Sequence, residues 1–194
     1  YFAKYNKQKR TFEALSELIQ ETADEIRYLE SVSNSLDIAL SEADLGQIKE
    51  ELTASGYVRR KFTKKKVKLT NKPMHYISSD GYDIYVGKNN IQNDELTFSF
   101  ANGGDWWFHA KGAPGSHVIV KTNGDELPDR TFEEAGRLAA YYSKNRGSDK
   151  VEIDYIEKKH VKKPNGAKPG FVVYYTNYSL VIDSDISNIK VVQD

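Results

Sequence analysis

Cysteine is absent from this 194-residue chain, so neither disulfides nor thiolate metal sites contribute to it, and the absence fits a reducing compartment. No apolar run approaches membrane-spanning length, no signal peptide is visible, and no membrane insertion is expected. Net charge is also lacking. The 28 basic residues balance 28 acidic ones, so affinity for nucleic acid has to come from charge segregated along the chain. Glycine and proline are missing from residues 1–40, which leaves that stretch without a helix breaker. What is present, 39% hydrophobic and 12% aromatic residues, suffices for one sizeable core with a smaller appendage and excludes a disordered tail.

The breaker-free stretch carries Phe12, Leu15, Ile19, Thr22, Ile26, Leu29, Ser33 and Leu36 at alternating three- and four-residue spacing, a heptad seam. With Glu13, Glu17, Glu21, Glu25, Arg27 and Glu30 outside the seam, residues 1–40 are predicted to form one long amphipathic helix packed on another. Thr22 and Ser33 weaken the seam, which points to a partner from a missing part of the same chain and away from a strong homodimer. The start at Tyr1, inside the helical pattern, suggests a piece of a longer protein. Ser41, with Asp44 three residues on, caps a second helix to about Ser55 with Leu45, Ile48 and Leu52 as its stripe, and Gly56 stops it. Residues 1–56 are thus a helical arm. Residues 57–72 are a basic linker, because residues 59–68 hold seven basic side chains in ten, among them Lys64, Lys65 and Lys66. Such a run is a solvated linker, a phosphate-binding arm, or both.

After Pro73 the period changes to two. Residues 76–78 and 82–86 flank Ser79-Asp80-Gly81 as a β-hairpin. Gly87-Lys88-Asn89-Asn90 then forms a turn that either binds an anion or is simply a turn, and Asn93 is read as the cap of a helix carrying Leu96 and Phe100. The central stretch, residues 105–121, holds both tryptophans: a strand over 105–110, a turn at 112–115 and a strand over 116–121. Alternation puts Asp105, Trp107 and His109 on one face and Trp106 and Phe108 on the other. Trp107, His109 and His117 are expected on an open face, with Trp106 and Phe108 in the core. Thr131 and Glu134 read as a capping box for a helix to about Lys144, its buried stripe Ala135, Leu138, Ala139 and Tyr142. Strands follow at Val151 to Tyr155, 171–175 and 180–182, with a basic loop over 157–169. The predicted fold is therefore α+β: a long helical coiled-coil arm followed by a compact mixed domain, 73–194, of mainly antiparallel strands with flanking helices.

An indole and imidazoles beside lysines supply the stacking, hydrogen bonding and positive charge that single-stranded nucleic acid needs together. The candidate RNA-binding residues are Lys64, Lys65 and Lys66 of the linker, Lys88, Asn89 and Asn90 of the first turn, and Trp107, His109 and Lys111 of the central strand. Gly115 and Ser116 join them through a turn able to cradle phosphate, then His117, and Lys162, Lys163 and Lys168 of the basic loop. The plainer readings are core tryptophans, ordinary turns and solvated lysines. An enzyme would use His109 or His117 with Asp105, but Asp105 and His109 stand about 13 Å apart along a strand, too far to share a metal. No enzymatic activity, metal or cofactor is expected.

Read together, residues 85–97, 105–111 and 114–118 closely resemble blocks of the NFACT family in the right order. Residues 73–194 resemble its C-terminal NFACT-R domain, and residues 1–52 the end of its coiled-coil middle region. The positions matching its motifs are Gly87, Lys88, Asn89, Asn90, Asp105, Trp107, His109, Lys111, Pro114, Gly115, Ser116 and His117. The resemblance implies a cytoplasmic protein that binds the obstructed large ribosomal subunit, its RNA and proteins, and tRNA, so that a C-terminal tail is added to the stalled nascent chain. The tRNA-selecting N-terminal domain of the family has no counterpart in these residues. Because some members carry a fibronectin-binding name, the resemblance also implies an alternative, a Gram-positive surface adhesin with fibronectin as partner.

Overall fold

Freedom from glycine and proline lets α1 run uninterrupted over Phe2–Ile38, 37 residues. The computed structural model describes residues 1–59 and 71–192, so Lys64, Lys65 and Lys66, expected to contact RNA, lie outside the described residues. The expected seam is not the buried face of α1. Phe12, Leu15, Ile19, Ile26, Leu29 and Leu36 are exposed, whereas Tyr28, Val32 and Ser35, one position back from Leu29, Ser33 and Leu36, are buried, as is Ile38. One residue is about 100° of helix rotation, so docking selects a neighbouring stripe and leaves the heptad seam to solvent. The helix α2, Glu42–Ala54, begins with the predicted capping box: Ser41 Oγ accepts from the Asp44 amide at 3.2 Å, and Asp44 Oδ2 accepts from the Ser41 amide at 2.9 Å. Ile48 and Leu52 pack on Tyr28 and Val32, while Leu45 stays exposed.

The remaining residues build a seven-stranded antiparallel sheet from β1 (Met74–Ile77), β2 (Asp83–Val86), β3 (Trp106–Ala110), β4 (Val118–Val120), β5 (Val151–Glu157), β6 (Tyr178–Ile182) and β7 (Lys190–Val191), in the order β6-β5-β3-β4-β2-β1-β7. The first hairpin turns at Gly81, whose φ of +89° suits glycine. Residues 171–175 do not form the expected strand; Lys162 and Val173 exchange one pair of backbone hydrogen bonds and the ladder goes no further. The short edge strand β7 carried no recognisable pattern.

Two covers lie on this sheet. On one face α4, Asp129–Tyr141, sets Ala135, Leu138 and Ala139 against Ile84, Phe108, Val118 and Val120. On the other face Trp107, Ile119 and Ile156 meet Leu96, Ala101, Val161 and Tyr174. Burial on both faces is why β4 reads Val-Ile-Val without a polar position. Thr131 and Glu134 do not cap α4, which starts after Pro128 with no side-chain cap. Thr131 instead donates to Asp80 at 2.9 Å, and the Ser79 amide donates to Glu134 at 2.8 Å. The same spacing that satisfies a helix start here ties α4 to the β1–β2 turn. The helix α3, Asn90–Glu95, is capped by Asn89, whose side chain accepts from the Gln92 amide at 2.9 Å; Asn93, the expected cap, lies within it. A π-helical turn, Leu96–Phe100, follows.

Candidate nucleic-acid interface

Residues 87–93 serve the protein before they serve a ligand. A Cβ on Gly87 would stand 2.2 Å from Asn93 Oδ1, so only glycine lets α3 come this close. That oxygen accepts from the His117 amide at 3.0 Å. Lys88 Nζ lies 3.0 Å from Asp44 Oδ1 and donates to Asn71 Oδ1 at 2.8 Å. Burial opposes the Asp44 charge, yet hydrogen bonds from Asn71, Lys88, the Leu40 amide and Ser41 outweigh it and hold the carboxyl down at about 2. Asn89 and Gln92 both donate to Gln47 Oε1, at 2.8 and 2.9 Å. Asn90 donates to Ser31 Oγ and to Glu51 Oε1, each at 2.9 Å. With Asn89 and Asn90 buried, the expected anion-binding turn instead fastens α1 and α2 to the sheet domain. Glu51 is buried too, and burial raises its pKa against hydrogen bonds from Asn90 and Tyr28.

Trp107 and His117 are 0% and 1% exposed, whereas Trp106 is only partly buried, so the expectation of an open Trp107 face is reversed. Strand parity was sound: Trp106 and Phe108 face α4, and Trp107 faces away. The second face is closed by residues 161 and 172–174, the latter read from sequence as part of a strand and here an irregular segment packed against Trp107. Trp107 packs 5.6 Å from His109, 5.1 Å from His117 and 5.1 Å from Tyr174, ring centre to ring centre. Burial presses the His109 pKa down to about 4, and burial followed by the neighbouring His109 holds His117 well below the ordinary imidazole value, so both rings are neutral near pH 7. Thr97 Oγ1 sits 2.8 Å from His117 Nδ1. Asp105 is not brought to either imidazole; it pairs with Lys121 and accepts from the Thr122 amide at 3.1 Å. Among the described residues no group of three or more His, Asp or Glu side chains could hold a metal ion.

One polar atom in this cluster stands out: Trp107 Nε1 is buried and has no hydrogen-bond partner among the described residues. Such an orphan costs about 1–3 kcal/mol. Trp107 and His109 belong to the wall of a cleft of about 590 Å³, between Asp24 to Ser31 of α1, the turn 112–115 and residues 167–174. Gly115 approaches Ser143 so closely that a Cβ would stand 3.0 Å from its Cβ, and the Ser116 amide donates to Tyr142 O at 2.9 Å, so that amide is committed within the fold. The expected cations are dispersed around the domain. Lys111 pairs with Glu152, Lys163 with Asp94, and Lys162 is exposed. Lys168 stands at the cleft, 4.2 Å above the Tyr28 ring. Gln47, Glu51 and Asn71 were not singled out from sequence, and Asn93 and Tyr174 only as a helix cap and a strand position; scattered amides and a tyrosine in an irregular loop carry no pattern that would flag these contacts.

An antiparallel sheet covered on both faces, with a helical arm bolted to it by an amide network, defines an α+β domain. The chain belongs to the NFACT family. Residues 72–176 match the NFACT protein RNA binding domain and residues 1–71 match the NFACT N-terminal and middle domains. Over 98% of its length the chain is 46% identical to the Rqc2 homolog RqcH of Streptococcus suis, and over 97% it is 41% identical to that of Bacillus subtilis. It spans about a third of those relatives, 34% and 33% of their lengths. A weaker likeness, 37% identity over 81 residues, links 41% of the chain to 7% of the human ribosome quality control complex subunit NEMF. The structure of the C-terminal part of the fibronectin/fibrinogen-binding protein of Streptococcus suis superposes with a TM-score of 0.88 at 44% identity, covering 98% of this chain and 77% of that one.

Proposed function

We propose that this chain is the C-terminal part of a ribosome-associated quality-control factor, one that binds the obstructed large ribosomal subunit and tRNA and supports C-terminal tailing of stalled nascent chains. The observation that carries the reading is end-to-end likeness: 97–98% of the chain aligns at 41–46% identity with proteins named Rqc2 homolog RqcH. The match of residues 72–176 to an RNA binding domain supports it independently. Within the reading, exposed Lys111, Lys162 and Lys168 offer charge to phosphate, and the linker lysines 64–66 extend the footprint. The domain has no part in bond-making: it grips RNA while the arm sets its distance from other components. The test is co-sedimentation of the full-length protein with large subunits carrying peptidyl-tRNA, with crosslinks mapped onto RNA. Crosslinks from residues 105–121 or 157–169 to ribosomal RNA or tRNA are expected; sedimentation without any crosslink in these segments rejects an RNA-gripping role.

A second reading, fibronectin binding at the cell surface, draws on the name of the Streptococcus suis relative. The edge strand β6, with Tyr178 and Val181 exposed, offers a place for a protein partner to add a strand. Adhesion of intact cells to immobilised fibronectin, lost when the protein is deleted, is what this reading expects; unchanged adhesion rejects it.

A further inference from the structure

We propose that the cleft between α1, the turn 112–115 and residues 167–174 receives one unstacked nucleobase of a single-stranded RNA segment, with the base offering an acceptor to the Trp107 indole N–H. This rests on the RNA-binding reading and narrows it to a place and a chemical group. The cleft, about 590 Å³, is of the size that holds a small planar ligand. Phe171, 48% exposed, stands at its rim and Tyr174 in its wall, which gives a flat ring two partners to stack on. The buried Trp107 Nε1, unpartnered among the described residues, is a donor in want of an acceptor, and every RNA base carries a carbonyl or ring nitrogen that supplies one.

Charge decides between base and phosphate. The inner wall holds His109, kept neutral by burial at pH 7, and the α1 side carries the carboxylates of Asp24 and Glu30, so the interior favours no anion, whereas Arg27 and Lys168 stand at the cleft where a backbone phosphate would pass. Arg27 is paired with Asp24, and Lys168 lies over Tyr28, so both cations are already positioned at the mouth. A base in this cleft touches α1 and the sheet domain together, which makes occupancy and arm position dependent on one another.

The chain has two tryptophans, one on each face of β3, so the two indole N–H signals in a nitrogen-proton correlation spectrum give a probe and its internal control. The 194-residue chain is titrated with a short oligouridylate and with an abasic ribose-phosphate strand of equal length. The Trp107 signal is expected to shift with oligouridylate and not with the abasic strand, while the Trp106 signal stays still. Trp107→Phe, which keeps a ring in the core, is expected to bind oligouridylate about fivefold more weakly, the worth of one hydrogen bond, with abasic binding unchanged. Phe171→Ala, at an exposed rim position, is expected to lose roughly tenfold through stacking, again only with bases present, and serves if Trp107→Phe melts early. Equal binding of both strands with silent indoles overturns the cleft and leaves RNA binding through the backbone standing. No binding of either strand at low salt overturns both readings. An apolar peptide that moves the Trp107 signal when RNA does not makes the cleft a protein-docking site and overturns the proposal.

Discussion

The two adjacent tryptophans of β3 differ in what surrounds them and therefore in what each is worth. Trp107 packs among Leu96, Ile119, Ile156 and Tyr174, so Trp107→Ala is expected to cost about 3–5 kcal/mol in urea denaturation, and Trp106→Ala, beside partly open Phe132 and exposed Tyr178, distinctly less. Parity along the strand was legible, since alternation needs only the backbone. The identity of the closed face was not, because its cover comes from residues far along the chain with no repeat to announce them. The imidazoles add a pH dependence. Both have folded values below the ordinary 6.5, so their contribution is complete above that value and is lost as the pH falls toward about 4 for His109. Glu51 acts with the opposite sign: its raised value makes its contribution complete below the ordinary carboxyl range and lost as the pH climbs through the raised value. Stability measured between pH 7 and 4.5 should therefore fall less steeply in His109→Gln and His117→Gln than in the parent chain, and an unchanged slope in both would deny the imidazoles this role.

The helix α3 is joined to α1 and α2 through side-chain amides. Asn90 alone connects α3 to Ser31 of α1 and Glu51 of α2, so Asn90→Ala leaves a buried carboxylate oxygen and a hydroxyl without their donor. A loss of about 1–3 kcal/mol is expected, read as earlier proteolysis or faster amide exchange of α1 and α2 with the sheet still protected. Gly87→Ala tests the same junction by crowding: the added carbon meets Asn93 Oδ1, the acceptor of the His117 amide, and about 1–3 kcal/mol of destabilisation is expected in a thermal melt. At this scale the sequence was informative where the physics is local. The Ser41–Asp44 box, the Gly81 turn and the helical start of the chain need only neighbours within a few residues. Thr131 and Glu134 carry the same spacing as a capping box, and the nearby β1–β2 turn captured them instead, a competition that spacing does not display. The Gly-Lys-Asn-Asn block likewise looked like an anion cradle because its donors are real; the structure spends them on Gln47, Ser31, Glu51 and Asp44.

For the molecule as a whole, zero net charge and dispersed lysines make RNA affinity a matter of local neutralisation. Affinity for single-stranded RNA should fall steeply as salt is raised, and Lys162→Glu combined with Lys168→Glu should flatten that dependence as well as weaken binding, which filter binding over a salt series would measure. Lys162 and Lys168 are both exposed; Lys168 also lies over the buried ring of Tyr28, so a thermal melt of the double variant accompanies the binding series. Fold class was open to reading because periodicity switches from seven to two where the helices give way to the sheet, and the α+β architecture follows from that switch alone. The exposed stripe on α1 has a mechanical meaning. From Phe2 to Thr22 the side chains of the helix are exposed, a rod of roughly 30 Å held at its far end, where Glu25 accepts from Tyr57 and where Tyr28, Val32 and Ile38 are buried. Clamped there, the rod works as a pointer: a tilt of about ten degrees at the fulcrum sweeps its Phe2 end through roughly 5 Å for an arm of this length. Sub-ångström adjustment among Asn90, Ser31 and Glu51 is thereby geared up into displacement at the remote end, and a push at the tip is delivered back, with the same leverage, to the amides at its base.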